Sequence, residues 1–327
     1  MNRRSGMKIE FAFHNETEAA PLSSAYTDTV AELMESDGDV VSLDADLMKA
    51  IKIDRIQERF PGRVLNVGIQ EGNMIGMAAG MARVGKKVYA HTFAPFITRR
   101  VFDQIFISSA YGRNPIRLYG SDPGICAKFN GGTHTAFEDI AMMRTIPDIC
   151  LFEVTDSAMF KNLMRATRDE NRIIYFRADR APAVKVYGDS SEFEPGKGVV
   201  LKDGGDVTVI ACGIMVSEAL VAAEKLEKEG ISAAVIDMFT IKPIDRELIV
   251  EYAQKTGAVV TAENHNINGG LGDAVASVLA EEEPAVMRKL AVRDEFSEVG
   301  PMDYLRERFR LNAAGVIAAV KDVLEHK

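Results

Sequence analysis

The stretch NVGIQEGNMIGMAAGMARVG, residues 66–85, places one carboxylate, Glu71, at the head of a segment that is otherwise apolar or small. The chain enters a strand-like run directly after Gly85, so the pattern predicts a helix over residues 71–84. An ionised carboxylate in an apolar site is costly and persists there only with a partner or with a proton. Glu71 is therefore either a helix-start residue that interacts with the helix dipole or a functional group.

Small residues define one face of this predicted helix. Gly72, Gly76 and Gly80 recur every four residues, and each costs about 1 kcal/mol of helix propensity relative to alanine, so a gain in packing or function is expected. A second, apolar face is formed by Met74, Met77 and Met81. The pattern fits a buried core helix, and it equally fits a helix packed against a like helix at a subunit interface.

Short apolar runs alternate with amphipathic stretches on both sides of this helix. The predicted strands are 39–43, 86–93, 115–120, 149–154 and 172–178. The predicted helices between them are 25–36, 75–85, 100–112 and 156–170. Strands that alternate with helices indicate a mainly parallel sheet covered on both faces.

A break in this alternation divides the chain. The stretch VKVYGDSSEFEPGKG, residues 184–198, is rich in Gly, Pro, Ser and acidic residues, which is typical of a linker. A second alternation of strands and helices follows it. The predicted fold is α/β with two domains, each a doubly wound, mainly parallel sheet. The predicted parts are an N-terminal extension 1–20, a first domain 21–185, a linker 186–198 and a second domain 199–327.

Composition narrows the functional classes. The net charge of −9 argues against nucleic acid or an anionic membrane as the main partner. We find neither an apolar run of about 18 residues nor a signal-peptide pattern, so we expect a cytoplasmic protein. Cys126, Cys150 and Cys212 are odd in number and widely spaced. This favours reduced thiols over a disulfide framework, and the spacing fits no metal site.

Six spaced segments occur in a fixed order along the chain: LDADL, the run 60–89, TFAPFITRRVFDQI, NGGTH, FEDIAMMRTIPDI and ENHNINGGLGDAVA. Together they resemble the C-terminal section of transketolases, from about residue 22 to the end. That section comprises the pyrimidine-binding domain and the small C-terminal domain of a thiamine diphosphate enzyme. The resemblance therefore implies this two-domain fold and this cofactor.

The resemblance gives Glu71 a catalytic role. In the family, the glutamate at this position contacts a ring nitrogen of the cofactor's aminopyrimidine. Proton sharing there promotes the imino tautomer, whose nitrogen removes the acidic thiazolium proton. A desolvated carboxylate with a tuned pKa suits this work, and a nearly all-apolar segment provides such a setting.

Further cofactor and substrate residues are implied by the same resemblance. Phe93 and Phe96 match aromatic positions that line the pyrimidine pocket, whereas a third aromatic of the family is replaced by Arg99. Asp46 of LDADL matches an aspartate near the cofactor at the subunit interface. His134 of NGGTH matches a histidine that faces the substrate and handles protons on its hydroxyls. The histidines without a predicted role are His14, His91, His265 and His326.

The substrate's anionic end is where this chain departs most from the family. Family transketolases hold the sugar phosphate through four positions, which here are Ser23, Ala50, Ser121 and Arg180. Only the arginine is kept, and the aspartate that commonly precedes the Gly-Thr-His motif is replaced by Asn130. Other cations that offer the missing charge are Arg99, Arg100, Lys128 and Arg177. Two interpretations stay open. The neighbouring basic residues bind the same sugar phosphate from different positions, or the substrate differs from that of the family.

The chain lacks a Gly-Asp-Gly sequence, with which transketolases hold the diphosphate and its magnesium. The resemblance therefore implies half of a split enzyme. A partner N-terminal-section subunit would carry the Gly-Asp-Gly motif and most of the Mg²⁺ or other divalent cation site, so we expect no metal ligands in this chain. Because the family's catalytic unit is a dimer with two interfacial sites, the expected assembly is α2β2.

The predicted function is a subunit of a thiamine diphosphate-dependent transketolase that moves a two-carbon ketol unit from a ketose to an aldose. A specialised sugar, sulfonated or branched, would account for the altered anion site. One alternative is the β chain of a two-subunit 2-oxo-acid dehydrogenase, although NGGTH, LDADL and FPGRV resemble transketolase more closely. Deoxyxylulose phosphate synthase, normally one long chain, and a non-catalytic scaffold subunit are the others.

Overall fold

A seven-stranded sheet forms the first domain, and a computed structural model describes residues 6–327 of the chain. In spatial order its strands are β10 (Thr240–Lys242), β5 (Cys150–Glu153), β6 (Ile174–Ala178), β4 (Ile116–Ser121), β3 (Lys87–Phe93), β1 (Val40–Asp44) and β2 (Val64–Asn66). Neighbouring strands run parallel except β10, which is antiparallel to β5. The long central strands are almost wholly buried, as expected for a sheet covered on both faces.

Helices cover the two faces of this sheet. They are α1 (Leu22–Ser36), α2 (Glu71–Arg83), α3 (Ala94–Ile97), α4 (Phe102–Gln104), α5 (Asp139–Arg144) and α6 (Ser157–Ala166). The two faces show in strand β3, where Tyr89 packs in one apolar core with Tyr26 of α1, while Val88 packs in another with Ile75 of α2. This alternation follows from the two-residue period of a strand.

The second domain repeats the plan on a smaller scale. Its sheet has the order β12 (Val286–Val292), β11 (Ala258–Asn266), β8 (Val207–Ala211), β9 (Ala233–Asp237) and β7 (Val199–Lys202), with β7 antiparallel to β9. Its helices are α7 (Met215–Lys228), α8 (Arg246–Thr256), α9 (Leu271–Glu281), α10 (Met302–Arg308) and α11 (Ala313–Glu325). Side-chain caps fix two helix starts: Asp245 accepts from the Leu248 N–H, and Asn312 accepts from the Gly315 N–H.

Two segments tie the domains together. Strand β10 follows β9 in the chain but pairs with the first sheet, so the second half of the sequence completes the edge of the first domain. The segment predicted as an N-terminal extension runs antiparallel to the linker, with bridges from Phe11 to Tyr187 and from Thr17 to Val184. Residues 1–5 of that predicted extension lie outside the described residues.

The predicted two-domain α/β fold with mainly parallel sheets is confirmed. The single helix predicted over 100–112 is wrong in form, because α4 passes after one turn into a π-helical segment, Ile105–Tyr111. The domain boundaries at 185 and 199 stay a prediction. Within the described part of the chain, no helix combines the length and apolarity needed to cross a bilayer.

Candidate active site

The candidate residues gather where the parallel strands of the first sheet end. Helix α2 begins at Glu71 shortly after β2, and β3 ends at Phe93 and leads directly into α3. Strands β4 and β6 end just before Asp122 and Arg180. In open α/β sheets, ligands bind beyond the carboxyl ends of the strands, so this edge is the expected place for a site.

Glu71 is buried and has two electrostatic supports. It is the first residue of α2, where the helix dipole favours a negative charge, and only 4% of the residue is exposed. The Arg100 guanidinium donates to Glu71 Oε1 over 2.6 Å. The same guanidinium lies 3.7 Å from the centroid of the Phe96 ring, which is a cation–π contact. The carboxylate therefore has both the helix terminus and a specific partner.

Three predicted residues meet in an aromatic cluster beside this pair. The ring centroids of Phe93 and Phe96 are 6.0 Å apart. The His134 ring lies edge-on to both, at 5.8 Å from Phe93 and 5.1 Å from Phe96. His134 is half-buried, and its Nδ1 shares a hydrogen bond of 2.9 Å with the Thr133 hydroxyl. The structure thus brings a carboxylate, two aromatic rings and an imidazole to one place.

Arg180 contacts this cluster, and a second cation, Lys128, and two carboxylates follow the neighbouring strand ends. Arg180 donates from Nε to Asp122 Oδ2 over 2.8 Å, and its guanidinium lies 4.9 Å from the Phe93 ring centroid. Lys128 Nζ is 4.0 Å from Asp179 Oδ2, which is a weaker pairing. Burial raises the pKa of the Asp179 carboxyl to about 6, with the Asp122 charge adding to the shift and Lys128 opposing it. Lys128 is thus a cation that its partner holds only loosely.

The loop that carries Asn130 contains a strained residue. Lys128 has φ 50° and ψ −114°, a conformation that side-chain-bearing residues rarely adopt. Strain of this kind persists only where the surrounding structure imposes it, and it is concentrated at functional sites. Phe129 and Asn130 follow on the exposed part of the loop. The loop therefore presents its side chains toward solvent next to the aromatic cluster.

Ser121, a predicted substrate contact, lies in the domain interior. Its hydroxyl is fully buried and shares a 3.0 Å hydrogen bond with His91 Nε2, while His91 Nδ1 contacts Asp44 Oδ2 at 2.6 Å. The order of these three groups matches a hydrolytic triad, but all three are enclosed in the domain interior. The array therefore stabilises the ends of β1, β3 and β4, and the substrate role of Ser121 stays a prediction.

Asp46 lies on the surface after β1. It has φ 65° and forms reciprocal 3.1 Å hydrogen bonds with Asn66, one from its own N–H and one to its carboxylate. The left-handed conformation is one that aspartate tolerates better than most residues. An exposed position is consistent with a contact to another chain, and the predicted interface role of Asp46 stays a prediction.

Arg177 does not supply charge to a substrate, contrary to one sequence-based option. It is fully buried, donates from Nε to Asp139 at 2.7 Å, and reaches both oxygens of Glu153 at 2.7 and 2.6 Å. Desolvation raises the pKa of Glu153 to about 7, and Arg177 opposes this shift. The sequence analysis did not predict this cluster. The available signal was that Arg177 and Glu153 are charged residues within two strand-like runs that are otherwise apolar. Arg99 is also engaged, with Glu138 and a carbonyl.

The residues of the aromatic cluster fit the pyrimidine half of thiamine diphosphate. A buried carboxylate at a helix start suits a ring nitrogen, and the two phenylalanine rings suit a planar heterocycle. A metal is a different matter: across residues 6–327, His, Cys, Asp and Glu side chains form no group of three suited to a metal ion. The prediction that the partner subunit holds the divalent cation stays a prediction.

The two domains place the chain among the thiamine diphosphate enzymes of the transketolase type. The model of the transketolase pyrimidine-binding domain matches residues 18–183, and that of the transketolase C-terminal domain matches residues 196–316. The chain belongs to the transketolase family and corresponds to its C-terminal section. Together with the transketolase subunits to which the chain is similar, these matches confirm the predicted class, a subunit of a transketolase-type transferase.

Similar proteins include subunits of split transketolases. The 6-deoxy-6-sulfo-D-fructose transketolase subunit SqwH of Clostridium sp. (strain MSTE9) is 45% identical over 315 residues, covering 96% of this chain and 98% of that protein. A subunit of the apulose-4-phosphate transketolase of Phocaeicola vulgatus is 33% identical over 293 residues, covering 89% and 94%. A solved split gene transketolase, described as an inactive β4 tetramer, superposes with a TM-score of 0.88 at 42% identity, covering 94% and 99%.

Proposed function

We propose that this chain, with an N-terminal-section partner, forms an α2β2 transketolase whose ketose carries an anionic end group, 6-deoxy-6-sulfo-D-fructose being the first candidate. The observation that carries the proposal is the meeting of Glu71, Phe93, Phe96 and His134 at one sheet edge, in a chain 45% identical to a sulfofructose transketolase subunit. In this proposal the partner brings the Gly-Asp-Gly motif and magnesium. Free, buried cysteines support a cytoplasmic location.

The chain's own residues would divide the chemistry among them. When bound, thiamine diphosphate supplies an electron sink for the carbanion that is left when the ketose C2–C3 bond breaks. Glu71 would hold and return a proton at the ring nitrogen of the pyrimidine, and the phenylalanine rings would hold that ring and exclude water. His134 would donate and accept protons at the sugar hydroxyls, which suits an imidazole near neutral pH.

The anionic end of the sugar would be held by Arg180 and Lys128. A sulfonate or phosphate has three acceptor oxygens, and several positive donors around them give both affinity and orientation. The Arg180 guanidinium has one terminal nitrogen, Nη1, that does not donate to Asp122, because Asp122 accepts only from Nε and Nη2. Lys128 is held loosely at 4.0 Å and has a strained backbone. With Ser121 enclosed, these two cations are the natural anion ligands.

One face of the first domain supports contact with another chain. A Cβ built at Gly76 or Gly80 would meet, apart from its own stretch of helix, no atom of residues 6–327 within 4 Å, so packing within this part of the chain does not require glycine there. Large apolar side chains lie exposed around this helix and the π-helical segment: Ile69, Val84, Ile107 and Tyr111. Exposed apolar surface next to a flat helix face is typical of a protein interface.

Reconstitution tests the proposed function. The chain mixed with its N-terminal-section partner, thiamine diphosphate and Mg²⁺ is expected to transfer a ketol unit from 6-deoxy-6-sulfo-D-fructose to an aldose, whereas either chain alone is inactive. Mass spectrometry of the new ketose and the shortened sulfonated aldose measures the reaction. Activity with fructose 6-phosphate but not the sulfonated ketose would refute the donor, and failure with every ketose would refute the enzyme.

Replacement of Lys128 tests the anion site. Lys128→Met is expected to raise the KM for the sulfonated donor by roughly tenfold or more, since a hydrogen bond to a charged group contributes about 1.5–3 kcal/mol. The KM for the uncharged ketose erythrulose should stay within about twofold. Lys86→Met, which removes a surface lysine paired with Asp39, is the matched control. Equal effects on both ketoses would show that Lys128 does not contact the anion.

A further inference from the structure

Arg100 makes the two contacts that the proposed function assigns to the cofactor's pyrimidine ring. Its guanidinium is planar, lies 3.7 Å from the Phe96 ring centroid, and donates to Glu71 Oε1 over 2.6 Å. A protonated nitrogen heterocycle would use the same ring face and the same carboxylate oxygen. One face of a phenyl ring accommodates one planar group, so the two occupants exclude each other.

The position of Arg100 allows it to leave. The residue lies between α3 and α4, its backbone N–H contacts the Pro95 carbonyl at 3.3 Å, and 43% of its side chain is exposed. Within residues 6–327, Glu71 is the carboxylate with which it forms an ion pair. A long side chain rooted in an exposed turn can rotate into water without disturbing the sheet.

The ion pair between Arg100 and Glu71 stabilises the chain when no cofactor is bound. A carboxylate as buried as Glu71 is unfavourable when it lacks a counter-ion, and a neighbouring cation relieves this. Arg100 provides the cation and at the same time covers the ring face of Phe96. In the isolated subunit, Arg100 therefore pairs with Glu71 and occupies the ring face of Phe96.

We propose that Arg100 is a positioning residue that stands in for the pyrimidine ring in the empty site and swings out when the cofactor enters. This inference rests on the proposed contact between Glu71 and the cofactor. Because cofactor binding must first release the guanidinium, the apparent affinity is reduced by the fraction of molecules with the pocket closed. Arg100 thereby holds the Glu71 carboxylate in place and lowers the affinity of an unassembled subunit for the cofactor.

Arg100→Ala is the test, with Arg165→Ala as the control because Arg165 pairs with Glu32 on the exposed surface, outside the candidate site. Isothermal titration of thiamine diphosphate with Mg²⁺ into the reconstituted complex is expected to give roughly fivefold to tenfold tighter binding for Arg100→Ala and a change below about twofold for Arg165→Ala. The isolated Arg100→Ala chain should melt at a lower temperature than the wild type, and adding Glu71→Gln should restore the melting temperature.

Weaker cofactor binding in Arg100→Ala would overturn the inference, since it would show that the guanidinium holds the cofactor. An unchanged affinity for thiamine diphosphate would overturn the inference as well, because Arg100 would then not compete with the cofactor. Failure of the underlying role of Glu71 has a separate signature: in the Arg100→Ala background, where Arg100 no longer competes, Glu71→Gln would leave the cofactor affinity unchanged. Since calorimetry needs no sugar, an error in the assigned ketose does not affect the result.

Discussion

Glu71→Gln in the reconstituted enzyme is expected to lower kcat by about 10²–10⁴-fold, the usual contribution of a positioned proton-transfer group. Glutamine has nearly the same shape, and its amide oxygen can still accept from Arg100. It cannot take up and return a proton, however, and it carries no charge at the start of α2. The loss should therefore appear in kcat with every ketose, whatever its end group.

The control for this experiment is Glu138→Gln, which makes the same change in a carboxylate that also pairs with an arginine, Arg99, at 2.7 Å. Its kcat is expected to stay within about threefold of the wild type. Circular dichroism and melting temperature of both variants establish that each is folded. A Glu71→Gln enzyme with kcat equal to that of Glu138→Gln would show that Glu71 takes no part in proton transfer.

Local sequence pattern was sufficient for the fold class because its strongest elements are long and buried. Strand β3 and helices α1 and α2 show clear periods, and each lies within a few residues of its predicted range. Strand β10 could not be predicted in the same way. Its three residues, Thr240–Lys242, form a strand only because β5 offers an open edge from the other domain. Such a pairing depends on tertiary structure and is not visible as an alternation of apolar and polar residues in the local sequence.

For the candidate site, the identity of the residues could be predicted, whereas their contacts could not. The resemblance identified Glu71, Phe96 and His134, and the structure places them together. It did not reveal that Arg100 contacts Glu71, because that contact depends on the turn between α3 and α4. The strained backbone of Lys128 was equally invisible, since residue type alone gives no reason to expect a positive φ there.

Arg177→Met is expected to have the largest effect on stability. The guanidinium is enclosed by Asp139 and Glu153 and also donates to the backbone carbonyl of Asn264 in the second domain, over 2.9 Å. Removing one partner of a buried ion pair leaves uncompensated charge and costs about 3–5 kcal/mol. Chemical denaturation of the isolated chain, followed by circular dichroism, measures this loss. The matched control is Arg165→Met, whose exposed pair with Glu32 contributes at most about 1 kcal/mol.

The loss should also depend on pH in a defined direction. The pKa of Glu153, about 7, exceeds its ordinary value of 4.5, so the folded state binds its proton more tightly than the unfolded state. Its contribution to stability is full below about 4.5 and declines as pH rises toward 7. Arg177 opposes this rise, so its removal raises the pKa of Glu153 further and extends the decline. The difference between Arg177→Met and the wild type should therefore be larger at pH 8 than at pH 5.5. A loss independent of pH would indicate that packing, rather than the charge of Arg177, stabilises this junction.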